Sequence, residues 1–302
     1  MIYENILDLI GNTPLIRLHL DDAQGNQVYA KLEMYNPTGS LKDRSALYMI
    51  EAAEKRGQLI SGSTIIESTS GNLGVSLAFV GQQKGYKVIC VVDPKAPPQS
   101  VLHMKALGAK IVVVDTKDEF GGYQKNRIRK VAELHKVIPD SFVPNQYSNS
   151  DNPLSFQKVA EEIIDDLGHD IDFLVCSVST GGHISGLAQV LKKKIPGIKV
   201  VGVEPEGSIV FGGEKKPYFQ NGIGLSFVPE VISFEHIDQH FKVPDNRAFE
   251  LTRKLIKDEG LLVGISSGSV IYGVLQLIKQ YKNKKIISLL PDNGGKYVDQ
   301  LF

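Results

Sequence analysis

The chain has 302 residues, and its 34 Lys and Arg balance 34 Asp and Glu for a formal net charge of zero. That balance speaks against a nucleic-acid or anionic-membrane surface, which draws on a basic excess, and no apolar run reaches the roughly 18 residues of a spanning helix. The opening MIYENILDLIGNTP is acidic with no basic stretch, so a cytoplasmic location is expected. Cys90 and Cys176 are too few for a disulfide framework or a Cys-based zinc site, and the histidines show no ligand spacing, so no metal site is expected.

Along the chain, β-rich runs alternate with amphipathic ones, the signature of parallel sheets covered by helices. A helix is expected over Ser40–Arg56, a strand over Thr64–Glu67, then a helix over Asn72–Lys84 and a strand over Lys87–Val92. A helix over Ser100–Leu107, a strand over Lys110–Val114 and a helix over Tyr123–Lys136 follow. The segment Pro139–Pro153, with three prolines, reads as a crossing point between two α/β lobes. Beyond it come a helix over Pro153–Asp166, a strand over Ile171–Ser177, a helix over Ile184–Lys194 and a strand over Lys199–Val203. The stretch Gly207–Val243, rich in Gly, Pro and Phe, reads as one long irregular excursion. The chain then closes with helices over Asn246–Glu259 and Ser267–Tyr281 and a strand over Lys285–Leu290. Gly57, Gly85, Gly108, Gly168 and Gly260 stand where helices end, the usual place for a left-handed glycine.

Three turns carry small hydroxyl and glycine residues ahead of a helix: Ser68-Thr69-Ser70-Gly71, Ser179-Thr180-Gly181-Gly182-His183 and Gly264-Ile265-Ser266-Ser267. Such turns leave backbone N–H groups open to an anion; the plainer reading is ordinary Ser and Thr N-caps. Neither G-x-x-x-x-G-K-[ST] nor a strand-following G-x-G-x-x-G occurs, which disfavours ATP and NAD. In NPTGSLKDR, Ser40 is placed to cap a helix from Leu41, which puts Lys42 in its first turn. A cation there is disfavoured, so Lys42 is either a solvated lysine or an amine set up for Schiff-base chemistry.

At KLEMYNPTGSLKDR, ESTSGNLG, STGGH, GVEPEGS, GIGLSFVP and LLVGISSGS the sequence resembles the cysteine synthase (O-acetylserine sulfhydrylase) family of fold type II pyridoxal-phosphate enzymes. The resemblance implies an α/β fold like that of the tryptophan synthase β chain, two open parallel-sheet lobes with the cofactor between them. Residues 1–40 and 146–302 would form the larger lobe and 41–145 the smaller, substrate-loop lobe. It implies pyridoxal 5'-phosphate bound covalently to Lys42, with Asn72 on the ring hydroxyl and Ser266 facing the pyridine nitrogen. Thr180, Gly181, Gly182 and His183 would cup the phosphate, with Ser179 at the cup's mouth. The loop Ser68, Thr69, Ser70 and Gly71, helped by Gln146, would take the substrate carboxylate, while Tyr147 stands where Phe is common. A homodimer acting on small amino acids is expected, with β-replacement on a serine- or cysteine-derived amino acid through an α-aminoacrylate; the resemblance puts first a cysteine synthase-type reaction, cysteine formed from an activated serine and sulfide.

Leu73 replaces a common Thr, and Ser179 and His183 replace a common Gly and Thr. With CVVDPK, GGYQKNR and NQY, these departures look like the siderophore-pathway synthase that joins O-phosphoserine to the amine of glutamate. There the residue matching Arg127 would recognise the substrate anion; otherwise Arg127 is a solvated charge on its helix. Cysteine-consuming relatives that release hydrogen sulfide and form serine or lanthionine are a further branch, and a catalytically silent binding module is the alternative outside enzymes.

Overall fold

The computed structural model describes residues 2–21, 23–118 and 121–302. In chain order its elements are β1 (Leu15–Leu18), β2 (Gln27–Leu32), α1 (Lys42–Lys55), β3 (Thr64–Ser68), α2 (Asn72–Gln83), β4 (Lys87–Val92), α3 (Pro98–Ala106), β5 (Lys110–Val113) and α4 (Gln124–Val137). There follow β6 (Ser141–Phe142), α5 (Asp151–Leu154), α6 (Gln157–Leu167), β7 (Phe173–Ser177), α7 (Gly182–Lys194) and β8 (Lys199–Pro205). The last are β9 (Gln239–Val243), α8 (Asp245–Glu259), α9 (Ile265–Gln280), β10 (Lys285–Leu290) and α10 (Val298–Leu301). Among the described residues no helix is long and apolar enough to cross a membrane.

The chain divides into two compact units, one of Met1–Leu9 with Lys42–Asp151 and one of Ile10–Leu41 with Asn152–Phe302. The first unit holds a fully parallel sheet in the order β5-β4-β3-β6. Alternation along β3 sends Ile66 to one face, where it meets Ile89, Val91 and Val131 of α4. Ile65 points the other way, toward Gly81 of α2, where a Cβ would strike Val88 at 2.4 Å. Glu67, two residues on from Ile65, shares that α2-facing side and pairs in register with Cys90, whose thiol meets the Gly74 carbonyl at 3.8 Å.

The second unit holds the order β1-β2-β10-β7-β8-β9. Its strands feed two apolar layers by the same alternation. Val175, Val201 and Ile286 pack with α8 and α9, while Leu174, Cys176, Val200 and Ile287 pack with α6 and α7. Every pairing is parallel except β1 with β2, an antiparallel edge that the helix-and-strand rhythm of the sequence does not register.

Two further differences from the sequence reading follow. The helix expected over Pro153–Asp166 is two helices, α5 and α6. The excursion after Gly207 ends in an edge strand, β9, paired with β8. Lys242 of β9 pins that excursion by donating to Glu204, to the Ser208 carbonyl at 2.6 Å and to the Gly212 carbonyl at 2.8 Å. The buried Glu204 carboxylate in turn takes the N–H groups of Val210 at 3.1 Å and Phe211 at 3.0 Å. The five helix-ending glycines do adopt positive φ, from 69° at Gly260 to 84° at Gly108.

Lys31 is only 1% exposed inside the second unit, and its ammonium meets the Thr13 carbonyl at 2.7 Å and Glu162 at 3.0 Å. Breaking a buried pair leaves an uncompensated charge, whereas replacing both members by apolar groups avoids it. Glu162→Leu is therefore expected to cost about 3–5 kcal/mol in urea denaturation, and Lys31→Met combined with Glu162→Leu to recover most of that loss.

Candidate active site

In the first unit, α1 begins at Lys42 and α2 at Asn72, and the two starts are tied by the Ser76 hydroxyl, which donates to Asp43 at 2.6 Å. Ser40 does not extend the helix; it pairs with Asp292 in an isolated bridge. The ammonium of Lys42 is poorly solvated, and this lowers its pKa from 10.5 to about 8, the negative charge of Glu67 holding it from falling further. Near neutrality a useful fraction of Lys42 is thus the unprotonated amine, as a carbonyl-capturing lysine requires.

Glu67 is 2% exposed. Burial raises its carboxyl from 4.5 to about 7, against the pull of backbone N–H groups of Ser68, Gln146 and Asn145 and the positive charge of Arg127. Its presence is legible in hindsight: the acid interrupts a strand that is otherwise buried throughout. Arg127 is buried too, so it is not a solvated charge on α4. Its Nη1 donates to Ser70 Oγ at 2.5 Å and pairs with Asp93 at 3.2 Å. Tyr147 lies within the electrostatic reach of both Arg127 and Glu67, and burial pushes its phenol to about 12.

The loop ahead of α2 starts the helix at Gly71 with no side-chain cap. Thr69 is committed locally, its hydroxyl accepting from Gly74 N at 3.1 Å, whereas Ser68 Oγ and Arg127 Nε are buried without a hydrogen-bond partner among the described residues. Unsatisfied buried polar atoms are costly, so this loop suits a polar ligand. Leu73 points into the core of the unit. The first unit therefore gathers Lys42, Ser68, Thr69, Ser70, Gly71, Asn72, Arg127, Gln146 and Tyr147.

The second unit carries Ser179, Thr180, Gly181, Gly182, His183 and Ser266. Gly181 precedes α7 in the left-handed region at φ 80°, and no side chain caps the helix, so its first N–H groups remain open for an anion. A Cβ at Gly181 would lie 2.6 Å from Ile232, which makes glycine necessary there. Ser179 Oγ is turned to the Gly224 carbonyl at 3.4 Å, and the His183 ring packs edge-on to Phe156 at 5.9 Å. Ser266 is buried in the first turn of α9, which likewise starts on glycine without a side-chain cap. Asp292 sits beneath that turn, 2.0 Å from where a Gly264 Cβ would be, and accepts from the Tyr297 hydroxyl at 3.0 Å. The turn Gly294–Tyr297 that follows is capped by Asn293, which accepts from Gly295 N at 2.7 Å. In the second unit an open helix start suits a phosphate and a buried hydroxyl suits a ring nitrogen; in the first, the lowered pKa of Lys42 suits capture of an aldehyde, each by itself in keeping with pyridoxal phosphate.

The Glu67 carboxyl binds its proton more tightly in the folded chain than in the unfolded one. The stability this lends is complete below pH 4.5 and is lost as pH rises through about 7. With cofactor removed, Glu67→Gln is expected to gain on the wild type across that window by roughly 3 kcal/mol, at about 1.4 kcal/mol per pH unit. The same variant should lower the Lys42 pKa further. Unfolding measured at several pH values, and the pH dependence of pyridoxal-phosphate capture, check the two effects.

Residues 6–292 match the family model described as pyridoxal-phosphate dependent enzyme. Among solved structures, the chain is 38% identical to the O-acetylserine dependent cystathionine beta-synthase from Helicobacter pylori, with a TM-score of 0.93, covering 99% of this chain and 98% of that one. A hydrogen sulfide-producing enzyme from Fusobacterium nucleatum matches at 38% identity and TM-score 0.93, covering 98% of both chains. Cysteine synthase from Entamoeba histolytica matches at 34% identity and TM-score 0.94, covering 100% of this chain and 91% of that one. With nearly its whole length matched at such identities, the chain belongs to the cysteine synthase family of fold type II pyridoxal-phosphate dependent enzymes.

Proposed function

We propose that this β-replacement enzyme takes O-phosphoserine as its donor and an amino-acid amine as its nucleophile. The observation that carries the donor assignment is the buried Arg127, whose Nη1 already holds Ser70 while its Nε–H has no partner among the described residues. A guanidinium presents donors in a planar fork suited to phosphate, and an unpaired buried donor gains most from an anionic acceptor. The amine assignment rests on the resemblance of CVVDPK, GGYQKNR and NQY to the siderophore-pathway synthase.

Thr180, Gly181, Gly182 and His183 would hold the cofactor phosphate, Asn72 the ring hydroxyl, Ser266 the ring nitrogen and Lys42 the aldehyde carbon. When bound, pyridoxal phosphate supplies the electron sink that makes the donor's Cα–H acidic and lets its Cβ substituent depart. The chain does the rest. Ser68, Ser70 and Gly71, at the open start of α2, bind the α-carboxylate, with Gln146 beside them. Lys42, with its pKa lowered to about 8, is matched to accept the Cα proton near neutral pH and to return it after the nucleophile adds. Arg127 steadies the phosphate as it leaves, and Ser266, a neutral group, avoids forcing a proton onto the ring nitrogen.

A second reading, O-acetylserine or cysteine as donor with sulfur chemistry at Cβ, is supported by what the Helicobacter and Fusobacterium structures are named for. Steady-state turnover of the holoenzyme with the three donors separates the readings. O-phosphoserine is expected to give the highest kcat/KM, and Arg127→Gln to lower that value about 30-fold more than the value for O-acetylserine, as for loss of a charged hydrogen bond of about 2 kcal/mol. A wild-type preference for O-acetylserine or cysteine would establish the second reading instead.

A further inference from the structure

The segment 152–156 underlies the first turn of α7 at three successive points. A Cβ at Gly182 would lie 2.3 Å from Asn152 Oδ1 and 2.6 Å from its Cγ, and one at Gly186 would lie 2.0 Å from the Pro153 carbonyl oxygen. Phe156 supplies the third contact, against the His183 ring. Asn152 is 0% exposed, and its Nδ2 donates to Thr180 Oγ1 at 3.4 Å. Its own carbonyl is fixed by the Ser155 hydroxyl at 2.6 Å.

A threonine hydroxyl has one proton to give. When its oxygen accepts from a carboxamide on one side, that proton is directed elsewhere. We infer that Asn152 is a positioning residue for the cofactor: its carboxamide holds Thr180 Oγ1 as an acceptor, which turns the hydroxyl proton toward the phosphate. This rests on the reading of residues 180–183 as the phosphate cup. It explains why glycine stands at both 182 and 186, since any side chain at either position would push the backing segment away from the helix start. An aspartate at 152 could not donate to Thr180. It would take the hydroxyl proton for itself and set a negative charge behind the phosphate.

The test is a double-mutant cycle on pyridoxal-phosphate affinity, measured by absorbance titration of the cofactor-free protein, with the ³¹P resonance of the bound phosphate as a second readout. Asn152→Ala and Thr180→Val are each expected to weaken binding about tenfold, the scale of one lost hydrogen bond, and Asn152→Asp to weaken it more. The Asn152→Ala and Thr180→Val double variant should bind no more weakly than Thr180→Val alone, because Asn152 acts through that hydroxyl. The ³¹P resonance should move in Asn152→Ala.

If the double variant loses the product of the two single effects, Asn152 does not act through Thr180 and the inference falls while the cup stands. If Thr180→Val leaves both affinity and resonance unchanged, the cup reading falls and takes the inference with it. Thermal unfolding of each cofactor-free variant separates binding from folding; should Asn152→Ala not fold, the near-isosteric Asn152→Leu, uncharged and unable to donate, carries the same cycle.

Discussion

Backbone N–H groups at the start of an α-helix need acceptors, and α2, α7 and α9 each start on a glycine with no side-chain cap. In most helices a Ser, Thr, Asp or Asn would close that gap. Hydroxyl residues are present in all three turns. Thr69 serves its own helix by taking the Gly74 N–H, whereas Ser179 is turned to the Gly224 carbonyl and Thr180 accepts from Asn152. The first N–H groups of α7 are thus left open, a place that anionic oxygen can fill. The parallel sheets determine where those starts lie, since α2 follows β3 and α7 follows β7 directly.

The first unit adds the opposite kind of cost, two ionisable groups in surroundings that favour neither charge. Lys42 is pushed toward the neutral amine and Glu67 toward the neutral acid, while the charge of Glu67 partly restores the Lys42 ammonium. Arg127, with its own partner Asp93, biases Glu67 toward ionisation from the other side. The cluster is a set of mutual compensations rather than a row of independent residues. That is why one substitution within it is expected to be felt both in stability and in proton affinity.

Much of this was open to reading before the structure. The strand–turn–helix rhythm located β3, β4, β7, β8 and β10, because strands buried on both faces are written as unbroken apolar runs. Glycines marked helix ends because only the left-handed conformation closes those turns. Lys42 and the glycine- and hydroxyl-rich turns 68–71 and 179–183 were legible as motifs. What escaped depended on contacts distant in sequence: β1 and β9 are short edges that gain their order from β2 and β8, and the break between α5 and α6 comes with no strong local signal. Asn152 was invisible because its meaning lies in Gly182, 30 residues on. For Arg127 the sequence left two readings, an anion-binding residue or a solvated charge, and the fold removes the second by burying it against Ser70 and Asp93. Glu67 could have been suspected from an acid inside TIIES.

The excursion between β8 and β9 is stitched at both ends. Glu204 and Lys242 hold its beginning, Lys216 N meets the Gly207 carbonyl at 3.1 Å, and Gly224 N meets the Val178 carbonyl at 2.7 Å. Between Gly212, whose carbonyl takes Lys242, and the stitch at Lys216, residues 213–215 are exposed. Closing a somewhat longer loop adds only a few tenths of a kcal/mol, since the entropy grows with the logarithm of length. Descendants of this sequence are therefore free to lengthen, shorten or recolour that stretch while its two anchored ends stay where they are, which makes it a natural place for lineages to diverge without disturbing the chemistry nearby.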